Sequence, residues 1–400
     1  MKFDFTTIMD RKGKDALAVD MLSDKSSPRA PKEGFDIIPM WVADMNFATA
    51  PSIVESMRAR LDHPLFGYFM PRPEFYDALI SWQEKRNGVT GLEQKHISFV
   101  NGVLGGVIAA VNAVASSGDP ILLHSPTYVG FTGVLEHSGF KIVHSPLTPD
   151  EDGVWRMDFD DMEEKIVKNN IHAAVFCSPH NPCGRVWEQW EIEKAMEVFR
   201  KHDVYVISDE IWSDIIRPGY RHIPTQSVSE DAAQRTVAMY APTKTFNLAG
   251  IPGSYAVIYN DFLRTRVNKI VSMTHLNSMH LLSMYAMIGG FSEEGAAWVD
   301  ELCQVIAGNT DYAVDYIRAH WPGIQVMKPQ GTYMMYIDAT EWCSTHGVTL
   351  DEVLGRAWDV GVAMQDGRPF HGPCHIRMNL ALPLSRVQEA FDRLNKYVFI

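Results

Sequence analysis

Short, uninterrupted apolar segments alternate with longer helical patterns through the middle of the chain. The segments are rich in β-branched residues, and apolar residues recur at helical spacing between two of them, from Trp187 to His202. Continuous apolar strands are typical of a sheet that is covered on both faces, and strand–helix alternation is typical of a largely parallel sheet. The segments are 120–124, 141–144, 173–177, 204–208, 236–240 and 254–258. This pattern predicts an α/β fold.

The pattern changes after about residue 285. Strand-like and helical segments follow one another less regularly there, namely a helix over 294–320, strands over 331–337 and 375–380, and a helix over 385–396. A second, smaller lobe of α+β type explains the change, because 400 residues are enough for two domains. The sequence thus predicts a large domain over 49–285 and a small domain formed by 1–48 and 286–400.

Composition and charge exclude several classes of function. The net charge of −13 is not offset by a basic run, which argues against a nucleic-acid partner. No apolar segment is long enough to span a bilayer, and no apolar run follows the basic residue near the N-terminus. The five cysteines are odd in number and form no Cys-x-x-Cys pair. We therefore expect a cytoplasmic protein without a metal site, a membrane partner or a nucleic-acid partner.

Four of the apolar segments run directly into polar clusters. These clusters are rich in Ser, Thr, Asn, Asp and Pro, and they occupy 125–128, 178–184, 209–212 and 241–244. In open α/β sheets, ligands bind beyond the carboxyl ends of the strands. The four clusters are therefore predicted to share one cleft.

Two residues of these clusters indicate the chemistry. Lys244 lies among hydroxyls and small residues after one strand, and Asp209 ends the preceding one. A lysine in such a place can form a Schiff base with an aldehyde cofactor once its charge is removed, and the carboxylate can hold a pyridinium nitrogen. The alternatives are a lysine in a surface loop, and an aspartate that caps a strand end or forms an ion pair.

Further residues have both a functional and a structural interpretation. The amide of Asn181 can donate to a ring oxygen, or the residue can simply belong to a turn. Tyr128 can stack on an aromatic ring or pack in the core. The backbone amides of Val103 and Leu104 can bind a phosphate at a helix N-terminus, although the nearby glycines can equally serve close packing. Arg377, inside an apolar strand pattern, needs a planar anion, either a substrate carboxylate or an internal carboxylate.

As a set, these residues resemble the fold type I enzymes that use pyridoxal 5′-phosphate, over essentially the whole chain. Within that group the chain is similar to the MalY/PatB family of cystathionine β-lyases, which are carbon–sulfur lyases close to the class I/II aminotransferases. The motifs that carry the resemblance are 41–45, 101–103, 125–131, 178–184, 208–211, 241–250 and 295–301.

The resemblance implies how the cofactor is held. Lys244 would bind it as a Schiff base and Asp209 would pair with its pyridine nitrogen. Asn181 would contact its 3′-oxygen and Tyr128 would stack on its ring, and both side chains would also face the substrate.

It implies three further roles. Thr243 and the amides of Val103 and Leu104 would hold the phosphate, and Arg377 would bind the α-carboxylate of an amino acid. Tyr68 matches a tyrosine that reaches the phosphate of the neighbouring subunit, so a homodimer is expected.

Some positions depart from the family pattern. Trp212 stands where the lyases carry histidine and aminotransferases carry tyrosine, so the second contact to the 3′-oxygen is altered; an indole N–H can donate but cannot relay a proton. Asn46 replaces an expected aspartate, and 381–383 replace the usual Gly/Ala-Cys-Pro. Pro252 occupies the place of a phosphate-binding arginine of typical class I aminotransferases, which favours the lyase branch.

The expected function is therefore that of a pyridoxal-phosphate-dependent β-lyase, which cleaves a sulfur-containing L-amino acid to a thiol, pyruvate and ammonia. The nearest alternative is an aminotransferase of class I/II, which shares the same carbanion chemistry. A non-catalytic binding or regulatory protein on this fold is the alternative from another class, and the presence of both Lys244 and Asp209 argues against it.

Overall fold

A mostly parallel sheet forms the centre of the computed structural model, which describes residues 1–23, 27 and 29–400. The strands of this part of the chain are β1 (Ile38–Pro39), β2 (Ile97–Val100), β3 (Pro120–Ser125), β4 (Lys141–Pro149), β5 (Trp155–Met157), β6 (Ala173–Cys177), β7 (Tyr205–Asp209), β8 (Thr236–Tyr240), β9 (Ser254–Val257), β10 (Gln325–Val326), β11 (Met334–Asp338), β12 (Val362–Ala363), β13 (Gln365–Asp366) and β14 (His375–Asn379). All six predicted apolar segments form strands, with ends that differ by a few residues.

Helices connect and cover these strands. They are α1 (Leu17–Ser23), α2 (Pro51–Leu61), α3 (Pro73–Asn87), α4 (Val103–Val114), α5 (Val129–His137), α6 (Phe159–Asn169), α7 (Gln189–Lys201), α8 (Glu230–Arg235), α9 (Pro242–Thr245), α10 (Asp261–Met273), α11 (Leu281–Gly290), α12 (Glu293–His320), α13 (Thr340–His346), α14 (Leu350–Asp359) and α15 (Leu384–Tyr397). Short 3₁₀ helices occupy Gln94–His96, Thr225–Ser227 and Arg368–Phe370. No helix of the described residues combines the length and the apolar character that crossing a bilayer would require.

The central sheet has the strand order β2-β9-β8-β7-β6-β3-β4-β5. Strands β8, β7, β6, β3 and β4 are parallel to their neighbours in this run, whereas β9 and β5 pair antiparallel near the two edges. Strands β6 and β8 are buried along their whole length, as expected for strands covered on both faces. The predicted α/β fold with a mostly parallel central sheet is confirmed.

A second, antiparallel sheet has the order β10-β11-β14-β13, and β1 pairs with β12 in a separate two-stranded sheet. One cluster of buried apolar side chains surrounds these strands, drawn from residues 22–40 and 313–399. The predicted strand over 331–337 begins later, at Met334, because a buried turn with Thr332 at positive φ precedes it. The residue boundaries of the two domains stay a prediction.

Candidate active site

A cavity of about 280 Å³ opens beyond the carboxyl ends of the parallel strands. Eight residues that the sequence predicts to contact the cofactor line it: Val103, Leu104, Tyr128, Asn181, Asp209, Trp212, Thr243 and Lys244. They lie at the end of β7 or in the segments that follow β2, β3, β6, β7 and β8, so that the sheet brings together residues more than 100 positions apart. The predicted cleft at the strand ends is therefore present.

Lys244 lies on the one-turn helix α9, directly after the buried strand β8. Its Nζ donates a hydrogen bond to the Ala43 carbonyl oxygen at 2.8 Å. The pKa of this amine is lowered to about 8, chiefly by burial and then by the positive charge of Arg377, while Asp44 and Asp209 act in the opposite direction. A lysine with this pKa is partly neutral near physiological pH and can act as a nucleophile or a base.

Asp209 is the last residue of β7 and is only 4% exposed. Its Oδ1 accepts a hydrogen bond from the Ile211 amide at 3.0 Å. The pKa of the carboxyl is raised to about 7, chiefly by burial and also by the neighbouring Glu210, while the Ile211 hydrogen bond and Lys244 act in the opposite direction. No basic side chain of the described residues forms an ion pair with Asp209, so this buried carboxylate has capacity for a cation from outside the chain.

Glu210 is a component of the site that the sequence interpretation missed. It is fully buried on the other face of the strand end, where His222 Nε2 lies 2.8 Å and the Tyr240 hydroxyl 2.6 Å from Oε2. The Thr225 amide donates to Oε1 at 2.8 Å. Two adjacent acidic residues at the end of a buried strand point to opposite faces, which was the available signal. Glu210 thus acts on Asp209 through its charge, because its own hydrogen-bonding partners lie elsewhere.

The N-terminus of α4 forms another side of the cavity. The residue that precedes the helix, Gly102, is extended and offers no side-chain cap, whereas Asp158 caps α6 and Ser292 caps α12. The first backbone N–H groups of α4, at Val103 and Leu104, therefore lack a side-chain acceptor in front of them, at a point where both residues line the cavity. This arrangement is suited to an anion.

Arg377 lies on β14 and is 3% exposed. Its Nη1 donates to Asn181 Oδ1 at 3.0 Å and its Nε to Gln365 Oε1 at 3.0 Å, and the guanidinium carbon lies 4.4 Å from the centre of the Phe370 ring. Burial lowers the pKa of Arg377 to about 10. The alternative interpretation, an internal ion pair, is not found within residues 1–23, 27 and 29–400. Although Arg377 is not among the lining residues, Asn181 connects it to the cavity.

Three aromatic residues, Tyr128, Trp212 and Tyr333, lie in or beside the cavity. Tyr128 lines the cavity, packs edge to face on Phe131 with ring centres 5.4 Å apart, and covers Gly130, where a Cβ would collide with its ring. Trp212 is 2% exposed; its ring centre lies 5.8 Å from Lys244 Nζ and 4.7 Å from the ring of Tyr333. The hydroxyl of Tyr333 is buried and has no hydrogen-bonding partner within the described residues.

Two sequence-predicted positions, Tyr68 and Asn46, lie outside this cavity, whereas Pro252 belongs to it. Tyr68 is fully exposed in the segment 62–72 and is not part of the cavity. Asn46 borders a different cavity of about 790 Å³ beside the N-terminal segment, and its Oδ1 accepts from Arg11. Pro252 is among the lining residues of the 280 Å³ cavity, and no arginine of the described residues lines it.

The fold and the cavity together define the class of protein. The model of the family "Aminotransferase class I and II" matches residues 36–394, and the chain belongs to this family. Among curated proteins, it is 32% identical to cystathionine beta-lyase PatB of Bacillus subtilis, over 90% of this chain and 92% of that protein. The resemblance to the MalY/PatB lyases is thereby confirmed.

Solved structures agree with this assignment. Cystalysin from Treponema denticola, in a structure that contains pyridoxal 5′-phosphate, superimposes with a TM-score of 0.91 at 31% identity, covering 99% of this chain and 98% of that one. The pyridoxal-phosphate-bound C-S lyase from Staphylococcus hominis superimposes with a TM-score of 0.89 at 27% identity, covering 100% and 99%.

Proposed function

We propose that this chain is a pyridoxal-5′-phosphate-dependent carbon–sulfur β-lyase that acts on a sulfur-containing L-amino acid such as cystathionine. The observation that carries the proposal is the cavity, which combines a buried amine whose pKa is lowered to about 8 with a buried carboxylate that forms no ion pair within the described residues. The names of the PatB and Staphylococcus hominis relatives support the choice of a lyase.

The residues of the cavity fit this cofactor. Asp209 offers a buried carboxylate for the pyridine nitrogen, and the N-terminus of α4 offers free N–H groups for the phosphate. Lys244 offers an amine for the aldehyde. Tyr128 and Thr243 line the same cavity and would pack on the ring and bind the phosphate, while Asn181 would donate to the ring oxygen. Bound there, the cofactor supplies an aldehyde for covalent capture of an amino group and an electron-withdrawing ring.

The protein's own groups then have distinct tasks. Lys244 Nζ removes the proton from the α-carbon of the substrate, and its lowered pKa keeps a fraction of the amine free for this step. Asp209, once paired with the ring nitrogen, keeps that nitrogen protonated. Arg377 binds the α-carboxylate, and its hydrogen bond to Asn181 links this contact to the cofactor pocket. The products are a thiol, pyruvate and ammonia.

The second candidate is an aminotransferase, the activity for which the matching family is named. Trp212 matches neither function, because it stands where the lyases carry histidine and aminotransferases carry tyrosine. Its indole N–H can donate a hydrogen bond but cannot relay a proton. Pro252 in the cavity wall supports the lyase, since typical class I aminotransferases carry an arginine there.

Product analysis separates the two functions. We expect the purified protein, supplied with the cofactor and L-cystathionine, to release pyruvate and a free thiol in equal amounts, and Lys244→Ala to release both about 10²- to 10⁴-fold more slowly. If L-cystathionine and other cysteine S-conjugates yield no pyruvate, the lyase proposal is wrong. Conversion of the cofactor to its amine form, together with a keto acid that retains the sulfur, would identify the aminotransferase.

We also propose that the chain forms a homodimer in which Tyr68 reaches the neighbouring active site. The segment 62–72 exposes large apolar side chains, with Leu65 68%, Phe66 58% and Met70 84% exposed. Such a patch is typical of an interaction surface. A cytoplasmic location is proposed as well, supported by five cysteines that are all free thiols.

A further inference from the structure

Arg377 is held by neutral groups. It lies directly opposite Gln365 in the antiparallel pair of β13 and β14. The Gln365 Oε1 atom accepts hydrogen bonds from two of its nitrogens, Nε at 3.0 Å and Nη2. Asn181 Oδ1 accepts from Nη1 at 3.0 Å and the Trp41 carbonyl oxygen accepts from Nη2 at 3.4 Å. Four of the five N–H groups of the guanidinium are thus engaged, and none of the acceptors carries a charge.

The neutrality of these acceptors matters for binding. A carboxylate in the place of the Gln365 amide would form a bidentate ion pair with Arg377 and neutralise it, so a substrate carboxylate would have to compete with a permanent internal one. A carboxamide oxygen aims the guanidinium through the same two N–H groups without cancelling its charge. The stacked Phe370 ring fixes the plane of the group and is also uncharged.

We propose that Gln365 is a positioning residue that selects substrates carrying an α-carboxylate, because it orients Arg377 while leaving its charge uncompensated. This inference rests on the proposed function, in which Arg377 binds the α-carboxylate of an amino acid. Gln365 acts through Arg377 and is not assigned a contact with the reacting atoms.

The test compares two replacements that separate charge from orientation. Gln365→Glu keeps the size and the acceptor but adds a negative charge, whereas Gln365→Met keeps the length and removes the acceptor. Gln304→Glu, on the exposed face of α12, adds the same charge at a remote place and serves as the matched control.

Binding is read from the absorption band of the cofactor, independently of turnover. The two probes are L-alanine, which has no leaving group on its β-carbon, and ethylamine, its decarboxylated counterpart. For Gln365→Glu we expect the dissociation constant of L-alanine to rise about 10- to 100-fold, the range for losing a hydrogen-bonded contact to a charged group. For Gln365→Met the expected rise is about 3- to 10-fold, the range for losing a neutral hydrogen bond. The constant for ethylamine should stay within about twofold in both variants.

In steady-state kinetics with L-cystathionine, both Gln365 variants should show a raised KM and a nearly unchanged kcat, with the larger rise in KM for Gln365→Glu. Equal weakening of L-alanine and ethylamine would indicate a merely structural role and overturn the proposal, as would unchanged binding in both variants. If wild-type protein binds L-alanine and Arg377→Met loses its preference for L-alanine, the proposed role of Arg377 stands whatever the Gln365 variants do, and pyruvate release from L-cystathionine tests the lyase function separately. If the wild type binds no amino acid, both proposals fail.

Discussion

Replacement of Asp209 by asparagine tests the electrostatics of the site in the cofactor-free protein. The carboxyl is 4% exposed and its pKa is raised from 3.8 to about 7, chiefly by burial. Between these two pH values the folded protein keeps a proton that the unfolded chain has released. Folding stability must therefore fall as pH rises through this window. Asparagine removes the dependence, because its amide does not ionise while its oxygen can still accept from the Ile211 amide.

The magnitude follows from the shift. A displacement of about three pKa units, at about 1.4 kcal/mol per unit, corresponds to about 4 kcal/mol in total, of which about 3 kcal/mol is lost between pH 5 and pH 8. The free energy of unfolding of Asp209→Asn, relative to that of the wild type, should accordingly be about 3 kcal/mol higher at pH 8 than at pH 5.

Urea unfolding of both cofactor-free proteins at pH 5 and pH 8 measures this difference. Asp315→Asn, at an exposed position on α12, serves as the control and should show no such change. With the cofactor bound, the wild type should be the more stable of the two proteins at pH 8. A pyridinium partner makes the carboxylate favourable, and the amide cannot replace it. A stability difference that is the same at both pH values would refute the reasoning.

Further predictions concern the other groups of the site. Lys244→Ala should lower kcat by about 10²- to 10⁴-fold, the range for a lost general base, and borohydride should no longer fix the cofactor to the chain, as mass spectrometry can check. Arg377→Met should raise the KM for L-cystathionine about 100-fold, the effect of losing a buried charged contact, with a smaller change in kcat. If each single replacement lowers activity, mixing Tyr68→Ala and Lys244→Ala chains should restore part of it, because one site of the heterodimer is then intact; no recovery would contradict a shared site.

The strands and the residues at their ends were predictable from the sequence for a physical reason. A strand buried on both faces must be continuously apolar, so the segments 173–177 and 236–240 coincide with β6 and β8. A polar residue directly after such a strand lies at the edge of the sheet where ligands bind, which identified Asp209 and Lys244.

Other features depend on contacts that no local pattern reveals. Gln365 lies on a strand of two residues, and its pairing with Arg377 is set by the register of β13 against β14 rather than by any periodicity. Apart from Ser208, the hydrogen-bonding partners of the Glu210 carboxylate come from positions 12 to 30 residues further along the chain. Tyr68 has no contact to predict within its own chain if its partner belongs to a second copy.

The pKa shifts of the three ionisable groups in the site arise from burial in the folded chain, which the sequence alone does not show. Burial disfavours the charged forms of Lys244, Asp209 and Arg377 alike, lowering the pKa of the two basic groups and raising that of the acid. The positive charge of Arg377 lowers the pKa of Lys244 further, and the opposing effects of Asp44 and Asp209 do not restore it to the ordinary value of a lysine. The proposed cofactor and substrate supply what each group lacks, an aldehyde, a pyridinium and a carboxylate. Ligand binding and stability are therefore coupled in this site, because the groups that bind are the groups whose burial is uncompensated.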